Sequence, residues 1–210
     1  TNWVTTDGAS YKADYAMDPR VLGPNDNYGG QYRASFATDM ASIPTLSIVT
    51  TISNLFSRAR GIYSNPQKYG VTWERPATIE YFDPRNDVTG FTVNCGVRMH
   101  GELNRSPTAT AKHSFRLLFK KEYGPGKLHY PLFDNCDVAE FDGIVLRGMY
   151  GDSFARASGA DSAQYVRDQF AHDSQRDMGM LAPAGRFVHL FLNGLYWGLY
   201  NANERPDADF

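Results

Sequence analysis

The stretch best equipped for chemistry is His100–Lys121. Its first part, HGELNRSPTATA, is a polar, glycine-containing loop carrying Arg105, and it runs into KHSFRLLFKK, where Phe115, Leu117 and Phe119 alternate as in a half-buried strand. A loop of this make-up ahead of a strand that starts on a lysine can hold an anion. Backbone N–H groups and the Arg105 fork would donate, and Lys112 would act as a point charge on phosphate. Solvation of the same side chains is the competing reading, because basic residues at strand ends commonly face water. The spacing is not G-x-x-x-x-G-K-[ST], so this is not a Walker-type loop.

Other reactive side chains fit fewer templates. Arg147 interrupts the apolar run GIVLRGMY and needs a carboxylate or phosphate partner there; a structural salt bridge is the expected role. Arg167 and Asp168 lie off the centre of a helical apolar stripe, facing either a cleft or water. The five histidines, His100, His113, His129, His172 and His189, are dispersed without HExxH or HxH spacing, so the sequence gives no support for a metal site. The acidic spacing from Asp83 to Asp87 lacks the glycine and closing glutamate of an EF-hand. No GxSxG elbow or Cys/His signature occurs. Cys95 and Cys136 lack CxxC spacing and leave a disulfide and two free thiols equally open.

The elements that must position these residues follow from periodicity. Arg186–Leu192 and Leu195–Asn201 form a hairpin around Asn193-Gly194, a pair that tolerates the positive φ of a type I′ turn. The second strand delivers the charged cluster Glu204-Arg205-Pro206-Asp207 to the rim of this aromatic ribbon. Further strands are expected at Ile43–Thr51, Ala77–Phe82, Phe91–Met99, Lys112–Lys121 and Gly143–Tyr150, with one helical turn at Ile52–Ser57 placing Leu55 and Phe56 on the core. One long helix is expected from Ser162 to Met178, capped by Asp161, stopped by Gly179 and packing Ala163, Val166, Phe170 and Met178 on the sheet. Residues 1–41 read as an irregular arm with at most a short strand near Tyr32–Phe36. The fold class is therefore α+β, a mainly antiparallel sheet with one long packed helix.

Composition sets the outer bounds. With 210 residues, 42% of them hydrophobic, the chain can bury a real core. A net charge of −2 offers no electrostatic case for nucleic acid, and no run of about 18 apolar residues exists to span a bilayer. The start on Thr1, with no leader, and the charged end make a segment of a longer polypeptide the expectation.

The motifs gain meaning from their order. HG, then Arg105, then KHSFRLLF, then FDGIVLR with Tyr-x-Asp-Ser, then YVRDQFAHDSQRDMG, then GRFVHLFLNGLYWGLYNANERPD resembles the CotH family, the spore-coat-type atypical protein kinases. The resemblance is closest over 100–210, within a domain of 42–210 that follows the arm of 1–41, and Ile43–Asp83 looks like the segment preceding that domain in large, secreted bacterial members. It implies the N-terminal lobe of an atypical kinase fold, which uses ATP and Mg²⁺ or Mn²⁺ to phosphorylate Ser/Thr of surface or coat proteins, outside the cell or on its surface. By the same resemblance Lys112 is the phosphate cation, Arg105 with His100 and Gly101 covers the phosphates, Glu204 pairs with the lysine, and Arg167 occupies a position where the family carries arginine. His113 stands where the family has a second lysine. The family's catalytic and metal-binding aspartates fall after the NERPD segment, so residues up to Phe210 are not expected to transfer phosphate alone. The competing function is a non-catalytic adhesion or structural module of the cell surface, and a sugar-binding role for the aromatic arm (Trp3, Tyr11, Tyr15, Tyr28, Tyr32) is a third.

Overall fold

A computed structural model describes residues 2–85, 89–134, 136–156 and 158–206. In chain order the elements are β1 (Asn2–Val4), β2 (Ser10–Lys12), α1 (Pro19–Leu22), α2 (Phe36–Met40), β3 (Thr45–Val49), α3 (Ile52–Phe56), β4 (Arg75–Phe82), β5 (Phe91–His100), β6 (Ser114–Leu118), β7 (Leu128–His129), β8 (Glu140–Phe141), β9 (Gly143–Arg147), α4 (Arg167–Asp177), β10 (Gly185–Leu192) and β11 (Leu195–Glu204).

The α+β class holds, with strands predominating, but the sheet is not open. Seven strands close into a barrel in the order β10-β11-β9-β6-β5-β4-β3. Every pairing is antiparallel except β3 with β10, which run parallel with His189 opposite Thr45 and Leu192 opposite Ile48. That one parallel seam is what closes the sheet, and it leaves no edge of the barrel exposed to another chain.

Alternation fills the interior. Leu46, Ile48, Ile79, Phe115, Leu117, Ile144, Leu146, Val188, Leu190, Tyr200 and Ala202 are all buried inside, and the Tyr200 hydroxyl donates to the His113 carbonyl at 2.9 Å. On the opposite face of the same strands, Arg98, Arg116, Val145, Arg147, Asn201 and Asn203 turn outward, as the two-residue period requires. The hairpin turn matches the sequence reading, with φ of 48° at Asn193 and 81° at Gly194.

Two expectations are corrected. The arm carries no strand at Tyr32–Phe36; the described ribbon there is β1 with β2, and Phe36 opens α2. Trp3 and Tyr11 pack on Phe56 of α3, with centroids 5.6 and 5.3 Å apart, so an aromatic contact organises this arm. The long helix begins at Arg167 rather than Ser162, because a separate 3-10 turn occupies Ala160–Ser162, and its polarity is reversed. Val166, Phe170 and Met178 face solvent at 60, 72 and 67% exposure, while Gln169 is the buried residue. The barrel's outer face beneath α4 is polar, so a polar helical face matches it. Gly179 ends the helix with φ of 78°, as expected.

Candidate functional site

Between helix α4, the loop after β5 and the end of β11 lies a cavity of about 490 Å³, lined among others by His100, Gly101, Asn104, Ser114, Val145, Arg147, His172, Asn203, Glu204 and Arg205. Each wall has a local origin. β5 ends on His100, and Gly101 turns the chain with φ of 98°, where a Cβ would sit 1.8 Å from Asn104 Oδ1. Strand β9 supplies Val145 and Arg147 from its outward positions, and β11 supplies Asn203 and Glu204. A smaller recess of about 200 Å³ extends the cavity past Asn104, Ser114 and Arg147 to Asp152 and Asp168.

The electrostatics of this cleft are basic. Burial first, then the charges of Arg116, Arg205, Arg147 and Arg98, push the His100 imidazole down to about 4, so it stays neutral at physiological pH. Arg147 forms an ion pair with Asp168 of α4 across the cleft, both side chains about a third exposed. Arg98 in turn lies 3.8 Å from Glu74.

A second cavity of about 490 Å³ shares Glu204 and Arg205 with the first and has apolar walls from Val138, Phe141, Met180, Leu181 and Ala182. Glu204 is fixed at the junction: its carboxylate accepts from the Ala184 N–H at 2.8 Å and lies 3.7 Å from the Cys136 thiol. Cys136 and Cys95 are both free thiols.

Of the six residues singled out from sequence, His100, Gly101 and Glu204 come together on one cavity, and Lys112, Arg105 and Arg167 do not line it. The Lys112 ammonium is half-buried against the faces of Tyr165 and Tyr200, 4.7 and 4.6 Å from the ring centroids, and donates to the Tyr165 hydroxyl and the Leu199 carbonyl. Burial lowers it to about 8. Leu199 and Glu204 stand five residues apart on one strand, about 17 Å at the usual rise, so Lys112 and Glu204 make no pair. Arg105 donates to the Lys68 carbonyl at 3.4 Å and stacks over Tyr69. Arg167 pairs with Asp152 at 3.0 Å.

The pair that does span the cleft, Arg147 with Asp168, was half legible. An arginine in an apolar strand signalled a partner, but nothing in the spacing named Asp168. The buried amides Asn201 and Asn203 gave no sequence signal at all. Among the described residues no cluster of His, Cys, Asp and Glu is suited to hold a metal ion; Asp207 of the NERPD segment and Asn86 and Asp87 of the acidic loop lie outside the described residues.

A closed barrel with a cleft rich in arginine, bridged by a strand arginine and a helix carboxylate, is the architecture of this α+β protein. The chain belongs to the CotH kinase protein family, which matches residues 97–210, and membership carries the use of ATP. The matched residues supply β6, β9, β10, β11, α4 and the end of β5, so both cavities lie within them, while β3 and β4, which close the barrel, precede them. No curated protein matches the chain at a significant level. No helix is long and apolar enough to cross a membrane among the described residues.

Proposed function

We propose that this chain forms the nucleotide-binding lobe of a CotH-type Ser/Thr kinase, with the triphosphate of ATP in the cleft of His100, Gly101 and Arg147. The observation that carries this is the Arg147–Asp168 ion pair between strand and helix. Protein kinases orient a phosphate-binding cation on a strand by an acidic residue on the adjoining helix, and phosphoryl transfer depends on such positioning more than on covalent chemistry from the protein. Here the guanidinium fork matches phosphate oxygens bidentately, and neutral His100 can donate to them. The side-chain-free Gly101 lets the backbone approach closely. The apolar second cavity beyond Glu204 and Arg205 suits a purine ring.

By the family's pattern the catalytic and metal-binding aspartates would follow the NERPD segment. The substrates would be Ser/Thr of surface or coat proteins, outside the cell or at its surface. The domain would comprise residues 42–210 with the arm of 1–41 packed on it.

Binding of ATP to the chain, followed by calorimetry, tests the reading. Arg147→Ala removes charge-assisted hydrogen bonds of roughly 1.5–3 kcal/mol, so Kd should rise roughly 10- to 150-fold. An ATP-independent melting temperature in the unsubstituted chain would sink the proposal. A second reading, a non-catalytic adhesion or structural module, is favoured by the exposed apolar row of Val166, Phe170, Met178 and Leu181, and that negative result would leave it standing.

A further inference from the structure

Helix α4 carries Asp168, yet its apolar side chains face solvent, so something other than hydrophobic burial must fix its orientation. Its buried residue is Gln169, next in sequence to Asp168 and 7% exposed. The Gln169 amide nitrogen donates to Asp173 Oδ1 at 2.8 Å, one helical turn on. Its amide oxygen accepts from Nδ2 of Asn201 at 3.1 Å and of Asn203 at 3.3 Å, both wholly buried on the outer face of β11.

The polarity of this network is determined by chemistry. A carboxylate only accepts, so Asp173 requires the amide nitrogen of Gln169. The Gln169 oxygen must then face β11, and both asparagines must present their NH₂ groups to it. Gly185 of β10 leaves room for the junction: a Cβ there would lie 2.2 Å from Gln169 Oε1 and 2.1 Å from Asn203 Nδ2. Asn201 lies opposite Arg147 in the register of β11 with β9. The clamp therefore grips the barrel beside the strand position from which Arg147 reaches for Asp168.

We propose that Gln169 is a positioning residue, clamping α4 to β11 so that Asp168 meets Arg147 and sets its guanidinium for phosphate. The inference rests on the nucleotide reading for its last clause only, since the clamp and the ion pair are features of the chain itself. Rotation or lift of the helix would separate the pair without disturbing the barrel core, because no core side chain comes from α4.

The test uses Gln169→Glu, alone and with Asp173→Asn. The single change sets two carboxylates against each other where an amide donated, and should release the helix. The double change restores a donor at 173 and an acceptor at 169, still facing the two asparagine NH₂ groups. Two readouts are taken on the full chain: hydrogen exchange of the Arg147 guanidinium N–H by NMR, and Kd for ATP.

The single variant should speed Arg147 exchange at least fivefold and weaken ATP about tenfold. Adding Asp168→Asn to it should cost nothing further, and the Asp173→Asn partner should restore both readouts to within about threefold. Unchanged Arg147 exchange in Gln169→Glu, or failure of Asp173→Asn to restore it in a chain with native melting behaviour, overturns the proposal. If the unsubstituted chain binds no ATP while Arg147 exchange still follows Gln169, the positioning role stands and the nucleotide reading is what fails.

Discussion

Replacing Lys112 with methionine separates two roles that the sequence could not. In the structure its ammonium sits between two tyrosine rings with no carboxylate partner among the described residues, and burial lowers it from the ordinary 10.5 to about 8. The folded chain thus sheds this proton near pH 8, whereas the unfolded chain keeps it until about 10.5. Unfolding then takes up a proton within that window, so stability rises with pH there. At about 1.4 kcal/mol per unit, the interval from pH 8 to pH 10 contributes about 2 kcal/mol, after allowing for partial titration at both ends.

Methionine keeps much of the aliphatic stem and removes the charge, so Lys112→Met should abolish this slope. Urea denaturation at pH 7, 8, 9 and 10 on both proteins gives the difference directly, and the tyrosines, whose folded values are raised, add their opposite slope only above pH 10. Kd for ATP at pH 7 should change less than threefold. A flat difference between the two proteins would refute the burial argument. A tenfold loss of ATP affinity would refute the placement of Lys112 away from the phosphates.

Other consequences follow from the cleft. His100, held down to about 4 by burial and four arginines, is neutral in the folded state and protonated when unfolded between about pH 4 and 6.5, so stability should rise with pH across that range. ATP should raise the His100 value in an NMR titration, since phosphate opposes the arginine field; an identical titration with and without ATP would contradict its place in the site. Gly101→Ala places a Cβ in the left-handed region and against Asn104, at about 1–2 kcal/mol, and thermal denaturation should show the loss together with weaker ATP binding. Unchanged melting would remove the reason given for glycine at this turn.

Much was written in local sequence. The Asn193-Gly194 turn, the strand alternation, the glycine stop of α4 and the motif order that placed the chain among CotH kinases depend on neighbouring residues or on linear order, and they emerged intact. Arg147 announced a partner because a guanidinium in an apolar strand cannot be left alone. What tertiary structure decided was everything carried by register and closure. The parallel seam between β3 and β10 joins residues more than 140 apart and turns the sheet into a barrel. The outward face of β9 and β11 is polar, and that reverses α4, so a helix whose apolar stripe suggested core packing instead docks through Gln169. The same face selects Asp168 for Arg147, while the aromatic pocket of Tyr165 and Tyr200 draws Lys112 away. A sequence fixes which side chains share a strand or helix face through backbone periodicity; which face meets which depends on long-range pairing, whose free energy is spread across the whole barrel.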